Sequence, residues 1–305
     1  MINHFFSVAI AAYNASEFID KTLDSIREQT YKKYEVIVVD DGSPIKMEKT
    51  IRNYKNRYPD FPLKYVWQEN EGPAGARKKC VEEAQYDYVA FLDHDDFWYK
   101  NKLKVVNEII NRVNADVYYH DENEVLADGT TTAMKYRTLG KDPLTDLIMN
   151  GNALSTSAVV IKRQLFLDCN PYADKMRAGE DYECWIRLAK YGLKFYHITE
   201  ILGEYRRLSG SLTMVNIDYI KATNERIVDF YDYLDKDKFG KEKIGQLKKD
   251  RKALNEYLFG RYYHSNGDFK RAREYYKKSR IAGNHSWKCY AASVLACFKR
   301  KISAR

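Results

Sequence analysis

The sequence predicts an α/β protein, with a mostly parallel central sheet and flanking helices, followed by an α-helical C-terminal extension. Up to about residue 100, apolar segments typical of buried strands alternate with segments of helical spacing. From about residue 218 onward, almost every segment has helical periodicity. The 305 residues, 45% of them hydrophobic, are enough to bury one large core and a smaller appendage. We therefore predict two domains, residues 1–217 and 218–305.

Strands and helices alternate along the predicted α/β domain. The predicted order is a strand at 6–14, a helix at 16–30, a strand at 34–43, a helix at 46–58, a strand at 64–69, a Gly/Pro-rich turn at 70–77, a helix to about Ala84 and a strand ending at Leu92. Further elements are a helix at 102–113, a strand at 115–126, a strand and then a helix within 155–166, and a helix at 179–192. In such doubly wound sheets, ligands bind beyond the carboxyl ends of the strands.

The C-terminal extension contains a segment similar to one tetratricopeptide helix pair, at residues 258–283, with its turn at Asn266-Gly267-Asp268. One such pair cannot bury its own apolar face, so we expect it to pack on the body or on a neighbour. Residues 287–305 predict an amphipathic basic helix whose apolar side is formed by Tyr290, Val294, Leu295, Phe298 and Ile302.

Charge is divided unevenly along the chain. Residues 236–305 contain 20 Lys and Arg against 6 Asp and Glu, whereas residues 1–235 contain 31 against 37. Such asymmetry is typical of a segment that meets an anionic surface, although a solvated helical face has the same composition. The terminal helix therefore either rests on an anionic membrane or packs against the preceding helices. We exclude nucleic acid as a partner because the sequence contains no recognised nucleic-acid-binding module.

Cysteine usage and hydropathy predict a cytoplasmic protein, and the basic terminal helix adds the inner face of the membrane as a second location. The five cysteines are widely spaced and form no C-x-x-C pair, which fits reduced, packed thiols and no zinc site. No apolar run approaches the length of a membrane-spanning helix, and the N-terminus enters a strand pattern without a signal-peptide pattern.

The stretch VAFLDHDDFW, residues 89–98, places Asp93, His94, Asp95 and Asp96 directly after an apolar strand. In an extended strand end, Asp93 and Asp95 point the same way because they flank a single residue. Two such carboxylates can hold a divalent ion, Mn²⁺ or Mg²⁺, that keeps coordination sites open for phosphate oxygens. The alternative is a solvated turn. Trp98 next to it either stacks on a sugar or belongs to the core.

Other polar residues follow neighbouring strands, and we expect them to converge with Asp93 in one crevice: Asn14, Asp41 and the 70–77 turn. Asp41 can accept hydrogen bonds from a nucleobase or from ribose, or it belongs to a helix-capping turn. Arg77, expected at a helix start, is suited to a base or a phosphate. Together these residues predict a ligand with a base, a diphosphate and a metal.

Six motifs in this order resemble the inverting nucleotide-sugar glycosyltransferases of family 2, which have the GT-A fold. The resemblance covers about residues 4–215 and is carried by VAIAAYN, VIVVDDGS, NEGPAGAR, FLDHDD, GEDYECWIRLAKYG and YRRLSGSLT. Two departures from the family pattern are Lys78, where asparagine often follows the arginine, and Leu208, where histidine is common. The Q-x-x-R-W motif of processive synthases is absent, which implies the transfer of one sugar per encounter.

The resemblance also implies roles for particular residues. Ala11, Tyr13 and Asn14 would line the uridine site, and Asp41 would contact the uracil. Asp93-His94-Asp95 would be the D-x-D motif, with Asp95 the direct metal ligand and Asp93 nearer the ribose or the metal. Asp181 would be the general base. Arg206 and Ser209 would lie in a loop that closes over the diphosphate.

Asp181 also has a purely structural interpretation, as the N-cap carboxylate of a helix. We expect it in the first turn of its helix, where the dipole favours the ionised form that a base requires. The predicted activity is metal-dependent, inverting transfer of a hexose or N-acetylhexosamine from a UDP-sugar to a hydroxyl of a glycan acceptor, either free or lipid-linked, for a bacterial surface polysaccharide. The alternatives are a nucleotidyltransferase, whose Gly-rich triphosphate loop is not found near the first strand, and a non-catalytic nucleotide-binding or docking protein.

Overall fold

The computed structural model describes residues 2–172, 179–207 and 217–302. The chain divides into two compact units, Met1–Ser211 and Leu212–Arg305. The predicted boundary after residue 217 stays a prediction, because it adjoins residues outside the described ranges.

The first half of unit 1 follows the predicted alternation. Its elements are β1 (Phe6–Ala12), α1 (Ile19–Arg27), β2 (Tyr34–Asp41), α2 (Glu48–Arg57), β3 (Leu63–Gln68), α3 (Gly72–Glu83) and β4 (Tyr88–Phe91). The four strands lie in the order β3-β2-β1-β4 and are all parallel. β1 and β2 are buried almost throughout because helices cover both faces of such a sheet. The parallel register brings the carboxyl ends of neighbouring strands to one edge.

The second half of unit 1 extends the sheet with mixed strand directions. Its elements are β5 (Phe97–Trp98), α4 (Lys102–Ile110), β6 (Val117–Leu126), β7 (Thr131–Met134), α5 (Pro143–Asn150), β8 (Val160–Lys162), α6 (Arg163–Cys169), α7 (Glu180–Lys190) and β9 (Phe195–Arg207). The complete order is β3-β2-β1-β4-β8-β6-β9-β5, with β7 paired to β6. β8 is antiparallel to both β4 and β6, whereas β9 is parallel to β6.

Unit 2 is helical, as the periodicity predicts. It contains α8 (Ile217–Phe230), a short 3₁₀ turn (Tyr231–Tyr233), α9 (Lys236–Phe239), α10 (Lys241–Ser265), α11 (Phe269–Ile281) and α12 (Trp287–Cys297). The predicted turn between α10 and α11 is confirmed, with Gly267 at a φ of 83°. Within unit 2, α8 packs on α10 and α12 packs on α11, so the apolar face of the helix pair is covered.

The terminal helix differs from its prediction in length and in the side that packs. α12 ends at Cys297, whereas the prediction extended it to residue 305. Its buried residues are the small Cys289, Ala292 and Ala296, which lie in the core of unit 2 with Tyr276. The apolar side predicted from the sequence is not the packed side, since Tyr290, Val294 and Phe298 are exposed. Among the described residues, no helix is long and apolar enough to cross a membrane.

Candidate active site

The carboxyl ends of β1, β2 and β4 meet at one edge of the sheet, as the sequence predicts. The Asn14 N–H donates to Ser43 Oγ over 2.9 Å, and His94 Nδ1 lies 3.2 Å from the carbonyl oxygen of Ala11. Asn14 has a φ of 52°, a left-handed conformation that asparagine tolerates and that turns the chain away from β1. Tyr13 beside it is 48% exposed, so its ring is available to a ligand. These residues therefore border one surface.

Asp41 caps the helix that follows the next strand. Its Oδ1 accepts hydrogen bonds from Gln68 Nε2 (2.7 Å) and the Glu71 N–H (2.9 Å), and its Oδ2 accepts one from the Gly72 N–H (2.8 Å). These backbone donors belong to the start of α3, where N–H groups lack intrahelical partners. The contacts are those of the capping alternative, and the residue is only 3% exposed. Contact between Asp41 and a nucleobase stays a prediction.

Arg77 lies inside a helix and not at its start, which corrects the prediction. α3 begins at Gly72, since Pro73 suits the first helical turn. Residues 72–77 of the predicted turn are therefore part of the helix. The buried guanidinium bridges two acidic elements, with Nη2 at 2.8 Å from Asp93 Oδ1 and Nη1 at 2.6 Å from Glu180 Oε1. The acidic turn and the start of α7 are therefore held together by one side chain.

The acidic residues after β4 form a turn and not an extended strand end, so that prediction is wrong. β4 ends at Phe91, and the Asp96 N–H donates to the carbonyl oxygen of Asp93 over 3.1 Å. Ser157 Oγ accepts from the Asp93 N–H (3.0 Å) and donates to the buried Asp96 Oδ2 (2.5 Å). Asp96 Oδ1 also accepts from the Arg206 N–H (2.8 Å). Ser157 and the Arg206 N–H hold Asp96 in the turn, and Arg77 holds Asp93.

Asp93 and Asp95 are the two carboxylates of this turn with surface remaining for a ligand. In the described part of the chain, the Asp95 carboxylate makes no ion pair and no hydrogen bond to another residue, and burial together with the nearby Asp93 raises its pKa. No group of three or more His, Cys, Asp or Glu among the described residues is arranged to hold a metal ion. A Mg²⁺-like ion needs only one or two carboxylates when substrate phosphates and water complete its shell. The residues present therefore fit such an ion bound together with a diphosphate.

Asp181 lies in the first turn of α7, as predicted, and is not the N-cap, which is Gly179. Its Oδ2 lies 3.3 Å from Asn152 Nδ2. Burial, with a contribution from the adjacent Glu180, raises the pKa of Asp181 to about 6. The helix dipole favours the ionised form, as expected, but loss of water around the carboxylate and repulsion from Glu180 outweigh it and raise the pKa. A pKa near 6 leaves the group mostly ionised and still basic at neutral pH.

Arg206 lies in β9 and not in a loop, which corrects another prediction. Its backbone supports the acidic turn through Asp96, and its guanidinium lies 4.5 Å from the centre of the Phe97 ring. Ser209 and Leu208, which were assigned to the same loop, lie outside the described residues. A role for Arg206 and Ser209 at a diphosphate stays a prediction.

Trp98 belongs to the core and is not a stacking surface for a sugar. It is 3% exposed, its Nε1 donates to the carbonyl oxygen of Ser157 over 2.9 Å, and Lys102 Nζ lies 3.6 Å from its ring centre. Sequence reasoning missed Ser157 and also Glu122, a buried carboxyl group that accepts hydrogen bonds from Ser155 and Tyr136. The only signal for Ser157 was a short polar run before a strand.

Comparisons with known proteins agree with this arrangement. The family model for Glycosyl transferase family 2 matches residues 7–152. The chain is 33% identical over 213 residues to the amylovoran biosynthesis glycosyltransferase AmsB of Erwinia amylovora, covering 67% of this chain and 70% of AmsB. It is 30% identical over 207 residues to the putative teichuronic acid biosynthesis glycosyltransferase TuaG of Bacillus subtilis, covering 68% of this chain and 81% of TuaG.

Solved structures show the same fold. S. aureus TarS 1-349, crystallised with UDP-GlcNAc, has a TM-score of 0.64 and 18% identity, covering 97% of this chain and 88% of TarS. The Pyrobaculum calidifontis mannosyltransferase PcManGT, in complex with GDP-Man and Mn²⁺, has a TM-score of 0.59 and 15% identity, covering 98% of this chain and 86% of PcManGT.

The fold and the similar proteins define a glycosyltransferase with a GT-A-like α/β domain and a helical C-terminal region. The chain belongs to glycosyl transferase family 2, among relatives that act in bacterial polysaccharide biosynthesis.

Proposed function

We propose that the chain transfers one hexose or N-acetylhexosamine per encounter from a UDP-sugar to a hydroxyl of a glycan acceptor, with inversion at the anomeric carbon. The observation that carries this proposal is the Arg77 bridge, because it holds the acidic turn and the Asp181 helix next to each other. UDP-GlcNAc is bound to TarS, and the name of the similar E. coli protein WfgD, 26% identical over 232 residues, specifies UDP-Glc as donor. These two proteins support a UDP-sugar as donor.

Inversion requires a base on one side of the sugar and a leaving group on the other. Asp181 takes the proton from the acceptor hydroxyl as this oxygen attacks the anomeric carbon, and the bond from that carbon to the diphosphate breaks. Its pKa of about 6 suits this role at neutral pH. Asn152, whose Nδ2 lies 3.3 Å from Asp181 Oδ2, orients the carboxylate. The donor lies against Ala11, Tyr13, Asn14 and the acidic turn.

Asp93 and Asp95 would hold Mn²⁺ or Mg²⁺, which when bound neutralises charge on the departing diphosphate. Arg77 fixes one oxygen of Asp93, whose side chain is still 28% exposed. Because Arg77 is already paired with two carboxylates, it positions the acidic turn and does not bind a phosphate directly.

The acceptor is proposed to be lipid-linked, with the protein in the cytoplasm at the inner face of the membrane. The name of WfgD specifies a diphosphoundecaprenol acceptor, which supports this class of acceptor here. The basic composition of residues 236–305 is compatible with an anionic membrane surface.

Calorimetric titration with UDP, GDP and dTDP, each with and without Mn²⁺, tests the donor and the metal without knowledge of the acceptor. We expect UDP to bind, and to bind more tightly with Mn²⁺. The Asp181→Asn variant should bind UDP like the wild type and lose transfer by about 1,000-fold or more. Absence of nucleotide binding under every condition would favour a non-catalytic role, and transfer that survives Asp181→Asn would refute the assigned base.

A further inference from the structure

The terminal helix presents an apolar stripe that the fold of unit 2 leaves uncovered. Trp287, Tyr290, Val294 and the C-cap residue Phe298 follow one another at spacings of three or four residues, so they lie along one side of α12 and its C-terminal end. Their exposed fractions are 74%, 48%, 54% and 72%. The opposite side of α12 is the small-residue side that packs in the core of unit 2. The helix is thus held by its small residues and turns its large ones outward.

The positive charge around this stripe indicates which kind of partner it binds. Residues 275–305 contain eight Lys or Arg and no Asp or Glu. Lys288 on α12 and Lys299, Arg300 and Lys301 just after it are exposed. At the edge of the stripe, the Arg280 guanidinium lies 5.6 Å from the centre of the Tyr290 ring. A second copy of the same surface would bring like charges together, and so is disfavoured. Aromatic and aliphatic residues bordered by cations are typical of helices that lie in the interface of an anionic bilayer.

We propose that the outer side of α12, formed by Trp287, Tyr290, Val294 and Phe298, docks on an anionic phospholipid surface. The helix lies in the plane of the bilayer with these four side chains at the level of the headgroups and acyl chains. Lys299, Arg300 and Lys301 contact the lipid phosphates. The proposal deepens the proposed function, because it rests on the membrane location of the acceptor and assigns the surface that reaches the membrane.

Sedimentation of the full chain with phosphatidylcholine vesicles, with and without phosphatidylglycerol, tests the docking directly. We expect binding only when phosphatidylglycerol is present. Trp287→Ser with Phe298→Ser should weaken binding by about tenfold or more, since burial of apolar surface contributes to it. Lys299→Gln with Arg300→Gln and Lys301→Gln should weaken it by about 100-fold. In a Trp67→Phe background, the fluorescence of Trp287 should shift to the blue on binding and be quenched by brominated lipids.

The matched control is Leu254→Ser with Leu258→Ser, which removes two exposed apolar side chains from α10 in the same unit. This control should change vesicle binding by less than about twofold. Equal loss in both double variants, unchanged binding of the Trp287 and Phe298 variant, or equal binding to uncharged vesicles would each overturn the proposal. Self-association of the wild type that the same double variant abolishes would assign the stripe to a second copy and also overturn it.

Vesicle binding requires neither donor nor acceptor, so its outcome is separate from that of the proposed function. A chain that binds vesicles but no UDP retains the docking surface and loses the proposed activity. A chain that binds UDP but no vesicles retains the proposed activity and loses the docking surface.

Discussion

Arg77 Nη1 and Glu180 Oε1 lie 2.6 Å apart, although 103 positions separate the two residues along the chain. The same guanidinium also contacts Asp93, so a single buried cation neutralises one carboxylate from the acidic turn and one from the start of α7. Removal of the cation would leave two carboxylates facing each other in a region with little water. The position of the proposed base relative to the acidic turn therefore depends on Arg77.

Arg77→Gln should destabilise the protein by about 3 kcal/mol, because a broken buried ion pair leaves its partners uncompensated. Urea unfolding at neutral pH measures the change. Arg57→Gln is the matched control, because the Arg57 ion pair with Asp20 is on the surface, and it should leave the unfolding midpoint unchanged. Equal midpoints for wild type and Arg77→Gln would show that the bridge does not stabilise the fold.

The rate of transfer should depend on pH through Asp181. Its pKa is raised to about 6, so kcat/KM should rise with pH up to about pH 6 and then level off, as the carboxylate becomes ionised. A pH profile of initial rates at subsaturating acceptor measures this rise, which is the acidic limb of the profile. A limb that stays in place when Asp181 is replaced by Glu or Asn, in whatever activity remains, would assign the titration to another group.

The raised pKa of Asp181 also predicts that its ionised form destabilises the folded protein at neutral pH. The folded protein keeps a proton on Asp181 up to about pH 6, whereas an unfolded chain loses it near pH 4. The stability that this group contributes is full below about pH 4 and is lost as the pH rises through about 6. Asp181→Asn should therefore raise the free energy of unfolding at pH 7.5 by about 1–2 kcal/mol, less than the full shift implies because water still reaches the carboxylate.

The same variant at low pH provides its own control. Near pH 4, where the carboxyl group is largely protonated in the folded state, wild type and Asp181→Asn should unfold at nearly the same denaturant concentration. A stability difference that is constant from pH 4 to pH 7.5 would mean that the side chain is not buried enough to shift its pKa.

The sequence predicted the part of the fold in which local pattern and tertiary environment agree. β2 is buried along its whole length and β1 at all but one residue, so their apolar runs were sufficient. β9 was missed because only three of its 13 residues are buried and they follow no period of two, so its sequence shows neither an apolar run nor a strand alternation. The contacts of Arg77 and Ser157 were missed because their partners come from distant elements. Spacing along the chain identifies which residues end a strand, but it does not identify the partner of each carboxylate.

Replacement of two glycines of α10 by alanine should change the stability of unit 2 in opposite directions. A Cβ at Gly260 would lie 2.6 Å from the ring of Tyr276 on α11, whereas a Cβ at Gly245 would meet nothing within 4 Å. Gly260→Ala should destabilise the helix pair by about 1–3 kcal/mol, because the ring is buried and has no room to move. Gly245→Ala should stabilise it by about 0.5–1 kcal/mol through helix propensity alone. Unfolding of both variants, followed by helical circular dichroism, measures the difference, and a stabilising Gly260→Ala would show that α10 and α11 do not approach so closely.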